Sequence, residues 1–254
     1  MLFKNSDSLN HIDLSRSAFL LDVDGTILDI AATPDAVVVP RHLCEALIAL
    51  RERTGGATAF VSGRPLADLD RMFAPLKLPA VGGHGAELRA GEAGEPSRSA
   101  SIDSDLRRQF AALAQKLDGV LLEDKGYSLA LHYRLAPQYA VVLREAVAAA
   151  CAPYPKNAIE VLLGKAVIEV KFAAFNKGTG IRQLMMVPPF RGRRPIFIGD
   201  DLTDDAAFAV LPEFGGIGIS VGRRLSGLSG AFHRPDDVRQ WLYRIAGVNG
   251  VQQS

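Results

Sequence analysis

Short apolar runs alternate with amphipathic segments at both ends of this 254-residue chain. The strand-like runs are AFLLDV at residues 18–23, ATAFV at 57–61, PIFI at 195–198 and GIGISV at 216–221. Apolar side chains recur at helical spacing in residues 41–53, 204–211 and 237–245. Apolar strands that alternate with such helices favour a parallel sheet covered on both faces. We therefore expect an α/β fold with a doubly wound, Rossmann-like core.

The middle of the chain has a different pattern. Residues 90–101 are small, polar and rich in Gly and Ser, and helical segments are expected at 103–117 and 137–152. Two runs, residues 127–134 and 165–171, alternate between two sets of side chains, one of them mostly polar. This period is typical of a half-exposed sheet. The sequence thus predicts an α+β domain at residues 90–170, inserted into a core made of residues 1–89 and 171–254.

Charge and cysteine content exclude several classes of protein. With 29 Lys and Arg against 28 Asp and Glu, the net charge of +1 offers no global field to attract nucleic acid or an anionic membrane. Cys44 and Cys151 are far apart and form no CxxC pair, which argues against a disulfide framework and a zinc site. The first residues lack an apolar secretion signal, and no apolar run approaches the length that spans a bilayer. We expect a cytoplasmic protein, monomeric, whose partner is a small molecule.

The first strand-like run ends in Asp22-Val23-Asp24-Gly25-Thr26. Ligands of open α/β sheets bind beyond the carboxyl ends of the strands, where this motif is expected to lie. Asp22 and Asp24 would share one face of a continuing strand, and Gly25 lets the backbone turn. One carboxylate can then attack as a nucleophile while the other transfers protons. Taken alone, a DxDG sequence is more often a helix cap and a turn.

Two further motifs can hold a phosphate. Ser62-Gly63-Arg64 follows the second strand-like run, and a hydroxyl with free N–H groups at a helix N-terminus binds such an anion. Asn176-Lys177-Gly178 opens a helix, where a Lys is unfavourable against the helix dipole unless an anion lies nearby. Each motif alone is more often an ordinary cap or a solvated surface lysine.

The fourth motif is acidic, with four carboxylates in the six residues 200–205. Two such charges about 4 Å apart repel by about 4 kcal/mol at an effective dielectric constant near 20. Oxygen ligands of this kind suit a hard cation such as Mg²⁺. The alternative is a solvated acidic first turn of a helix.

These four motifs, in this order, resemble the haloacid-dehalogenase-like superfamily of aspartate-nucleophile phosphatases. The resemblance implies that Asp22 attacks phosphorus to form an aspartyl-phosphate. Asp24 would protonate the leaving alkoxide and then activate water, while Ser62 and Lys177 hold the phosphoryl oxygens. It also implies an Mg²⁺ cofactor bound by the Asp22 carboxylate, the Asp24 backbone carbonyl and Asp200. Asp201 and Asp204 would support this site.

The position of the insert limits which family of this superfamily the chain resembles. Ser62 and Lys177 are 115 residues apart, and an insert at this place in the superfamily is a cap that excludes water and selects the leaving group. KGYSLALHYR at 125–134, Gly164-Lys165, Glu169-Val170 and GGHGAE at 82–87 resemble the trehalose-6-phosphate phosphatase family. The resemblance implies release of trehalose and phosphate from trehalose 6-phosphate. The residues expected to bind substrate are Gly63, Lys125, His132, Arg134, Lys165 and Glu169.

Two departures from the family pattern and several alternatives remain. Lys171-Phe172 replaces the usual Arg-Pro, and the acidic motif continues as Asp205-Ala206 instead of Glu-Asp. The polar cap residues could form an ordinary solvated sheet face. The chain could act on sucrose phosphate or a glycosyl phosphoglycerate, or be a phosphomutase, which would turn over sugar phosphates without releasing phosphate. A non-catalytic sugar-phosphate sensor is disfavoured because every nucleophile and metal carboxylate is present.

Overall fold

The computed structural model describes residues 2–3, 12–31, 37–91, 94–164 and 166–248. The chain forms two compact units, one made of Met1–Ser97 with Asn176–Ser254 and the other of Arg98–Phe175. The second unit begins eight residues and ends five residues later than the insert expected at 90–170. Its N-terminal boundary lies within the small, polar segment of residues 90–101, between Ser97 and Arg98.

Thirteen strands and seven α-helices are found in the described residues. The strands are β1 (Leu2–Phe3), β2 (Ser17–Leu21), β3 (Thr58–Val61), β4 (Ala80–Gly82), β5 (Glu87–Arg89), β6 (Ser97–Arg98), β7 (Leu121–Asp124), β8 (Ser128–His132), β9 (Ile159–Gly164), β10 (Val167–Phe172), β11 (Arg194–Gly199), β12 (Ile217–Val221) and β13 (Gly230–Phe232). The helices are α1 (Arg41–Arg53), α2 (Leu66–Met72), α3 (Ser104–Lys116), α4 (Ala140–Cys151), α5 (Lys177–Met185), α6 (Asp205–Val210) and α7 (Pro235–Ala246). Within the described ranges, none of the helices combines the length and the apolar character that crossing a membrane requires.

The first unit contains a nine-stranded sheet in the order β1-β13-β12-β11-β2-β3-β4-β5-β6. The six strands from β13 to β4 run parallel, and β1 and β5 pair antiparallel at the two sides. Strand β2 is central, with Leu20 in register with Phe197 of β11 and Ala59 of β3. The carboxyl ends of β2, β3 and β11 therefore meet at one edge of the sheet.

Helices cover both faces of this sheet, which confirms the predicted doubly wound α/β core. Phe19 and Leu21 face a cluster with α1, α2 and α7, whereas Ala18 and Leu20 face a cluster with α5 and α6. All four residues are fully buried. Burial on both faces explains why the core strands read as continuous apolar runs instead of alternating.

The local sequence explains where the core helices begin and end. Helix α7 begins with Pro235, which fits the first turn, and Asp236 and Asp237 there favour the positive end of the dipole. It ends at Gly247, whose φ of 74° is a left-handed conformation that glycine adopts freely. Helix α5 begins after Asn176, which forms a capping box with Thr179.

The second unit is an antiparallel sheet in the order β7-β8-β10-β9, with α3 and α4 on one face. Leu129, Leu131, Ile168 and Val170 are buried in the cluster with these helices, as their alternation predicts. The expectation for the opposite face is wrong at three positions. Those positions are Ser128, Ala130 and Lys171, and each is at most 2 % exposed. The polar side chains among them are satisfied by hydrogen bonds and an ion pair inside the unit, described below.

Candidate active site

Asp22 directly follows the central strand β2, and its side chain is buried. Lys177 Nζ donates a hydrogen bond to Asp22 Oδ1 at 2.8 Å, and Thr26 Oγ1 lies 2.9 Å from Asp22 Oδ2. Both carboxylate oxygens are therefore contacted by a hydrogen-bond donor. The orientation of the carboxylate is fixed by residues from the turn after β2 and from the start of α5.

Lys177 is only 3 % exposed, although a lysine at a helix start was expected to need a special reason. Its Nζ also donates to Asp204 Oδ1 at 2.5 Å, so it lies between two buried carboxylates. Burial opposes the charge of the ammonium group, but Asp22 and Asp204 outweigh that effect and raise the pKa of Lys177. The lysine is thus held in its charged form beside Asp22.

Asp204 organises the acidic loop after β11. Its Oδ2 accepts the backbone N–H groups of Asp200 at 2.8 Å and of Asp201 at 2.9 Å, while Oδ1 accepts Lys177. A Cβ at Gly199 would lie 2.5 Å from the Asp204 carboxyl group, so only glycine leaves room for it. Asp204 therefore fixes the backbone that presents Asp200.

Asp200 follows the neighbouring strand β11 and approaches the turn that contains Asp22 and Thr26. Its Oδ1 lies 3.0 Å from Thr26 Oγ1, which also contacts Asp22. A hydroxyl carries one proton, so it can satisfy only one of the two carboxylates at a time. A Cβ at Gly25, whose φ is 80°, would lie 2.2 Å from Asp200 Oδ2. The glycine thus allows both the turn and the close approach of Asp200.

The carboxylates of Asp22, Asp200 and Asp204 have one oxygen each within 4.8 Å of one another. Burial raises the pKa of Asp22 to about 6 and that of Asp204 to about 6, and it also raises the pKa of Asp200. Two buried carboxylates and the half-buried carboxylate of Asp200 lie around one ammonium group, so the cluster is rich in negative charge. Such a group can hold a cation through oxygen atoms alone.

The Asp24 side chain does not join this cluster. Its two oxygens accept hydrogen bonds from Arg64 Nε at 2.6 Å and Arg64 Nη2 at 2.7 Å, a bidentate pair. Arg64 also anchors the Ser62 loop, since its backbone N–H donates to Ser62 Oγ at 3.1 Å. Sequence reasoning missed this role of Arg64; its position in the Ser-Gly-Arg motif was the available signal.

Ser62 and Gly63 lie where β3 ends, beside β2. Ser62 is buried, and its N–H donates to Val81 O at 2.8 Å. A Cβ at Gly63 would lie 2.4 Å from the ring of His84, so the imidazole packs directly on this glycine. The parallel sheet thus brings the Ser62 loop and the Asp22 turn to the same edge.

Two of the residues expected to bind substrate meet in the second unit. Glu169 Oε1 accepts hydrogen bonds from Ser128 Oγ at 2.7 Å and from Lys125 Nζ at 3.3 Å. Both charged side chains are about 15 % exposed. Ser128 was not among the expected residues, although the alternation placed it on the polar face of β8. The three side chains form a small polar group fixed by their own contacts.

The remaining expected residues are more scattered. His132 Nε2 lies 2.9 Å from Glu123 Oε2, and the hydrogen bond with His132 lowers the pKa of Glu123. Arg134 follows the end of β8 and is exposed. Lys165 lies outside the described residues. Glu123 is not predicted as a site residue, because residues 121–124 show no alternation typical of a strand.

Comparison with known proteins agrees with this arrangement. The family model described as trehalose-phosphatase matches residues 20–230, from β2 to β13. The chain belongs to the trehalose-phosphatase family. A probable trehalose-phosphate phosphatase of Sinorhizobium fredii is 42 % identical over 212 residues, which are 83 % of this chain and 79 % of the relative. The trehalose-6-phosphate phosphatase of Escherichia coli is 36 % identical over 233 residues, 91 % of this chain and 87 % of the relative.

Solved structures show the same fold. The C-terminal domain of a Candida albicans trehalose-6-phosphate phosphatase superposes with a TM-score of 0.77 at 24 % identity, covering 95 % of this chain and 96 % of the other. A phosphatase of the haloacid-dehalogenase superfamily from Bacteroides thetaiotaomicron superposes with a TM-score of 0.61 at 17 % identity, covering 98 % and 99 %. The trehalose-phosphatase family match spans the four motifs and the inserted unit together, as the sequence predicts.

Proposed function

We propose that the protein hydrolyses trehalose 6-phosphate to trehalose and inorganic phosphate, with Asp22 as the nucleophile. The observation that carries the proposal is the buried Asp22 carboxylate, contacted by Lys177 and Thr26 at the carboxyl end of β2. It lies in a chain whose family model spans residues 20–230. The substrate is proposed from the names of the relatives and from the cap residues that resemble the same family.

The donor set fits Mg²⁺ as the cofactor. Carboxylate oxygens of Asp22 and Asp200 lie close together with the buried ammonium group of Lys177 beside Asp22, and Gly25 leaves the room that the Asp200 carboxylate occupies. Asp22, the Asp24 backbone carbonyl and Asp200 would hold the ion. When bound, Mg²⁺ offsets the repulsion between the anionic nucleophile and the phosphoryl group.

In the proposed first step, an Asp22 carboxylate oxygen bonds to phosphorus as the bond between phosphorus and the sugar oxygen breaks. Asp24 gives its proton to the departing alkoxide, which leaves as trehalose. Lys177, the Ser62 hydroxyl and the Gly63 N–H hold the phosphoryl oxygens, where charge develops. Since Arg64 pairs with the carboxylate of Asp24, this ion pair must open before Asp24 can transfer a proton.

In the second step, Asp24 accepts a proton from water, and the water oxygen bonds to phosphorus. The acyl-phosphate bond to Asp22 then breaks, which regenerates the Asp22 carboxylate and releases inorganic phosphate. The same carboxyl group thus acts as acid in one half-reaction and base in the other.

Recognition of the sugar is assigned to the polar side chains of the second unit. Glu169 is held by Ser128 and Lys125, so its carboxylate is oriented before a sugar binds. Such a carboxylate accepts hydrogen bonds from hydroxyls, while Lys125, His132, Arg134 and Lys165 can donate them. A site of this kind discriminates steeply, since its polar groups are left unpaired by a wrong ligand.

The test is phosphate release from a panel of sugar phosphates, with Mg²⁺ and with a chelator. We expect kcat/KM for trehalose 6-phosphate to exceed that for sucrose phosphate and a glycosyl phosphoglycerate by at least about 100-fold. The chelator should abolish release. A different preferred sugar would overturn the substrate assignment. Tight binding without release would identify a sensor.

A further inference from the structure

The segment Gly82–Glu87, which connects β4 to β5, has no role in the reaction proposed above, yet it contacts the Ser62 loop at several points. The Gly83 N–H donates to Arg64 O at 2.9 Å, and the His84 N–H donates to Ser62 O at 3.1 Å. The Glu87 side chain accepts the N–H of Leu66 at 2.7 Å. The segment therefore holds the loop from the Ser62 carbonyl to the first residue of α2.

The backbone of His84 has a left-handed conformation that residues other than glycine rarely adopt. Its φ is 54° and its ψ is 28°, and both neighbours, Gly83 and Gly85, also have positive φ. Left-handed residues other than glycine are uncommon and concentrate at functional sites. This backbone directs the His84 N–H toward the Ser62 carbonyl, which explains why the strained geometry is retained.

The imidazole reinforces the same contact. An ideal Cβ on Gly63 would lie 2.4 Å from His84 Cε1 and 2.5 Å from Nε2, so the ring occupies that space. The Ser62 carbonyl and the Gly63 N–H belong to one planar peptide group. When His84 holds the carbonyl through its N–H and packs its ring on Gly63, the direction of the Gly63 N–H is fixed as well.

The other side of the turn lies against the lysine motif. A Cβ on Gly85 would lie 2.2 Å from Asn176 O and 2.9 Å from Asn176 N, immediately before Lys177. One turn thus contacts both segments whose groups are expected to hold the phosphoryl oxygens.

We propose that His84 is a positioning residue for the phosphoryl-binding loop, acting through the Ser62–Gly63 peptide without touching the sugar. The inference rests on the proposed function only in that a phosphoryl group occupies this loop. Because His84 acts on the part that every phosphate ester shares, its loss affects all substrates equally. This separates it from a residue that recognises the sugar.

The main test is His84→Gly, which deletes the ring while glycine accepts the positive φ without strain. We expect kcat/KM to fall at least about tenfold for both trehalose 6-phosphate and a small aryl phosphate. The inhibition constant of inorganic phosphate should rise by a similar factor, and the unfolding midpoint should stay within about 4 °C. His84→Asn, which tolerates left-handed backbone, should retain part of the activity.

Gly63→Ala provides a second, coupled test. Its Cβ clashes with the His84 ring, so the change should reduce kcat/KM strongly in the parent protein and much less in the His84→Gly background. Asn157→Gly is the matched control, because Asn157 also has a positive φ of 65° but lies exposed in the second unit. It should leave both kinetic constants unchanged.

Three results would overturn the proposal. They are parental kinetics in His84→Gly, equal effects of Gly63→Ala in the two backgrounds, and unfolding of both His84 variants, which would assign the residue to the fold alone. If the parent protein does not cleave trehalose 6-phosphate, the proposed function fails. The aryl phosphate and phosphate-inhibition measurements still decide the role of His84.

Discussion

The Asp22 carboxylate is oriented by Lys177 and Thr26 at 2.8 and 2.9 Å, so asparagine can occupy its place with little rearrangement. Asp22→Asn keeps the shape of the side chain but removes the anion that is proposed to attack phosphorus. We expect turnover to fall by at least about three decades, as it does in other enzymes that lose a nucleophile. Phosphate release under saturating substrate, with circular dichroism to confirm the fold, measures this.

Asp29→Asn is the matched control for the nucleophile. Asp29 lies in the same segment after β2, is 71 % exposed and pairs with Arg239 at 3.0 Å. An exposed ion pair contributes little, so activity should stay within about twofold of the parent value. Substantial hydrolysis by Asp22→Asn, beside an unchanged control, would place the nucleophile elsewhere.

At the scale of single residues, the sequence predicts which side chains gather but not all of their contacts. The proximity of Asp22 and Lys177 could be predicted, because the ends of strands and the starts of the following helices lie at one edge of a parallel sheet. The bidentate pair between Arg64 and Asp24 could not, because it depends on side-chain rotamers. The hydrogen bonds of Asp204 could not be predicted either, because they depend on the path of the loop whose backbone N–H groups its carboxylate accepts.

At the scale of elements, the polar group of Lys125, Ser128 and Glu169 allows recognition of the sugar to be tested separately from cleavage of the phosphate ester. Glu169→Ala removes the acceptor that Ser128 and Lys125 hold at 2.7 and 3.3 Å. A lost hydrogen bond to a charged group is worth about 1.5–3 kcal/mol, so hydrolysis of trehalose 6-phosphate should fall at least about tenfold. A small aryl phosphate, which needs no sugar contacts, should be cleaved almost as before.

The two substrates are assayed side by side on one preparation. Glu145→Ala serves as a control, since Glu145 is exposed on α4 and should alter neither rate. Equal losses on both substrates in Glu169→Ala would mean that Glu169 supports the fold or the catalytic core instead of the sugar. The assignment of the polar group would then be withdrawn.

Lys171, near the end of β10, is buried, and both of its partners lie in its own unit. Its Nζ donates to Phe175 O at 2.6 Å and pairs with Glu160 at 2.5 Å. Lys171→Met leaves that carbonyl without its donor, which should cost about 1–3 kcal/mol of unfolding free energy. Lys171→Arg, which can reach both partners, should stay near the parent value.

Thermal unfolding of both variants measures this effect. A methionine variant as stable as the parent would show that the Phe175 carbonyl finds another donor, and the contact would then contribute nothing to stability.

The elements also show where sequence patterns stop being informative. Strands β8 and β10 were predicted because one face is apolar and packs on α3 and α4. Strands β7 and β9 form the two edges of this sheet and show no clear alternation of polar and apolar residues. Several of their apolar side chains are exposed, including Leu121 and Leu163. Edge strands are defined by their single neighbour, which no local pattern encodes.

At the scale of the whole molecule, the topology makes the site out of distant segments. Asp22 and Lys177 are 155 positions apart, yet both lie in the first unit because the chain leaves it only for Arg98–Phe175. This could be predicted once the insert was recognised, since the strands before and after it continue one sheet. The exact boundaries could not, because a short polar segment gives no sharp limit.

The charge imbalance of the cluster links the stability of the molecule to pH and to the cation. Burial raises the pKa of Asp22 to about 6, from 3.8 in a model peptide. A carboxyl group that binds its proton more tightly in the folded protein adds stability that is complete below pH 4 and lost as pH rises through 6. Asparagine imitates the neutral form at every pH.

Without divalent ions, Asp22→Asn should therefore unfold at nearly the same temperature as the parent at pH 4 and several degrees above it at pH 7. The difference should grow between pH 4 and 6, since in that range Asp22 is ionised in the unfolded chain but still holds its proton in the folded parent protein. Added Mg²⁺ should reverse the order at pH 7, because it binds the carboxylate of the parent and has one ligand fewer in the variant. Thermal scans at pH 4, 5, 6 and 7, with chelator and with Mg²⁺, test both parts. A difference in unfolding temperature that does not change with pH would mean that burial does not raise the pKa of Asp22. An equal response of both proteins to Mg²⁺ would remove Asp22 from the proposed metal site.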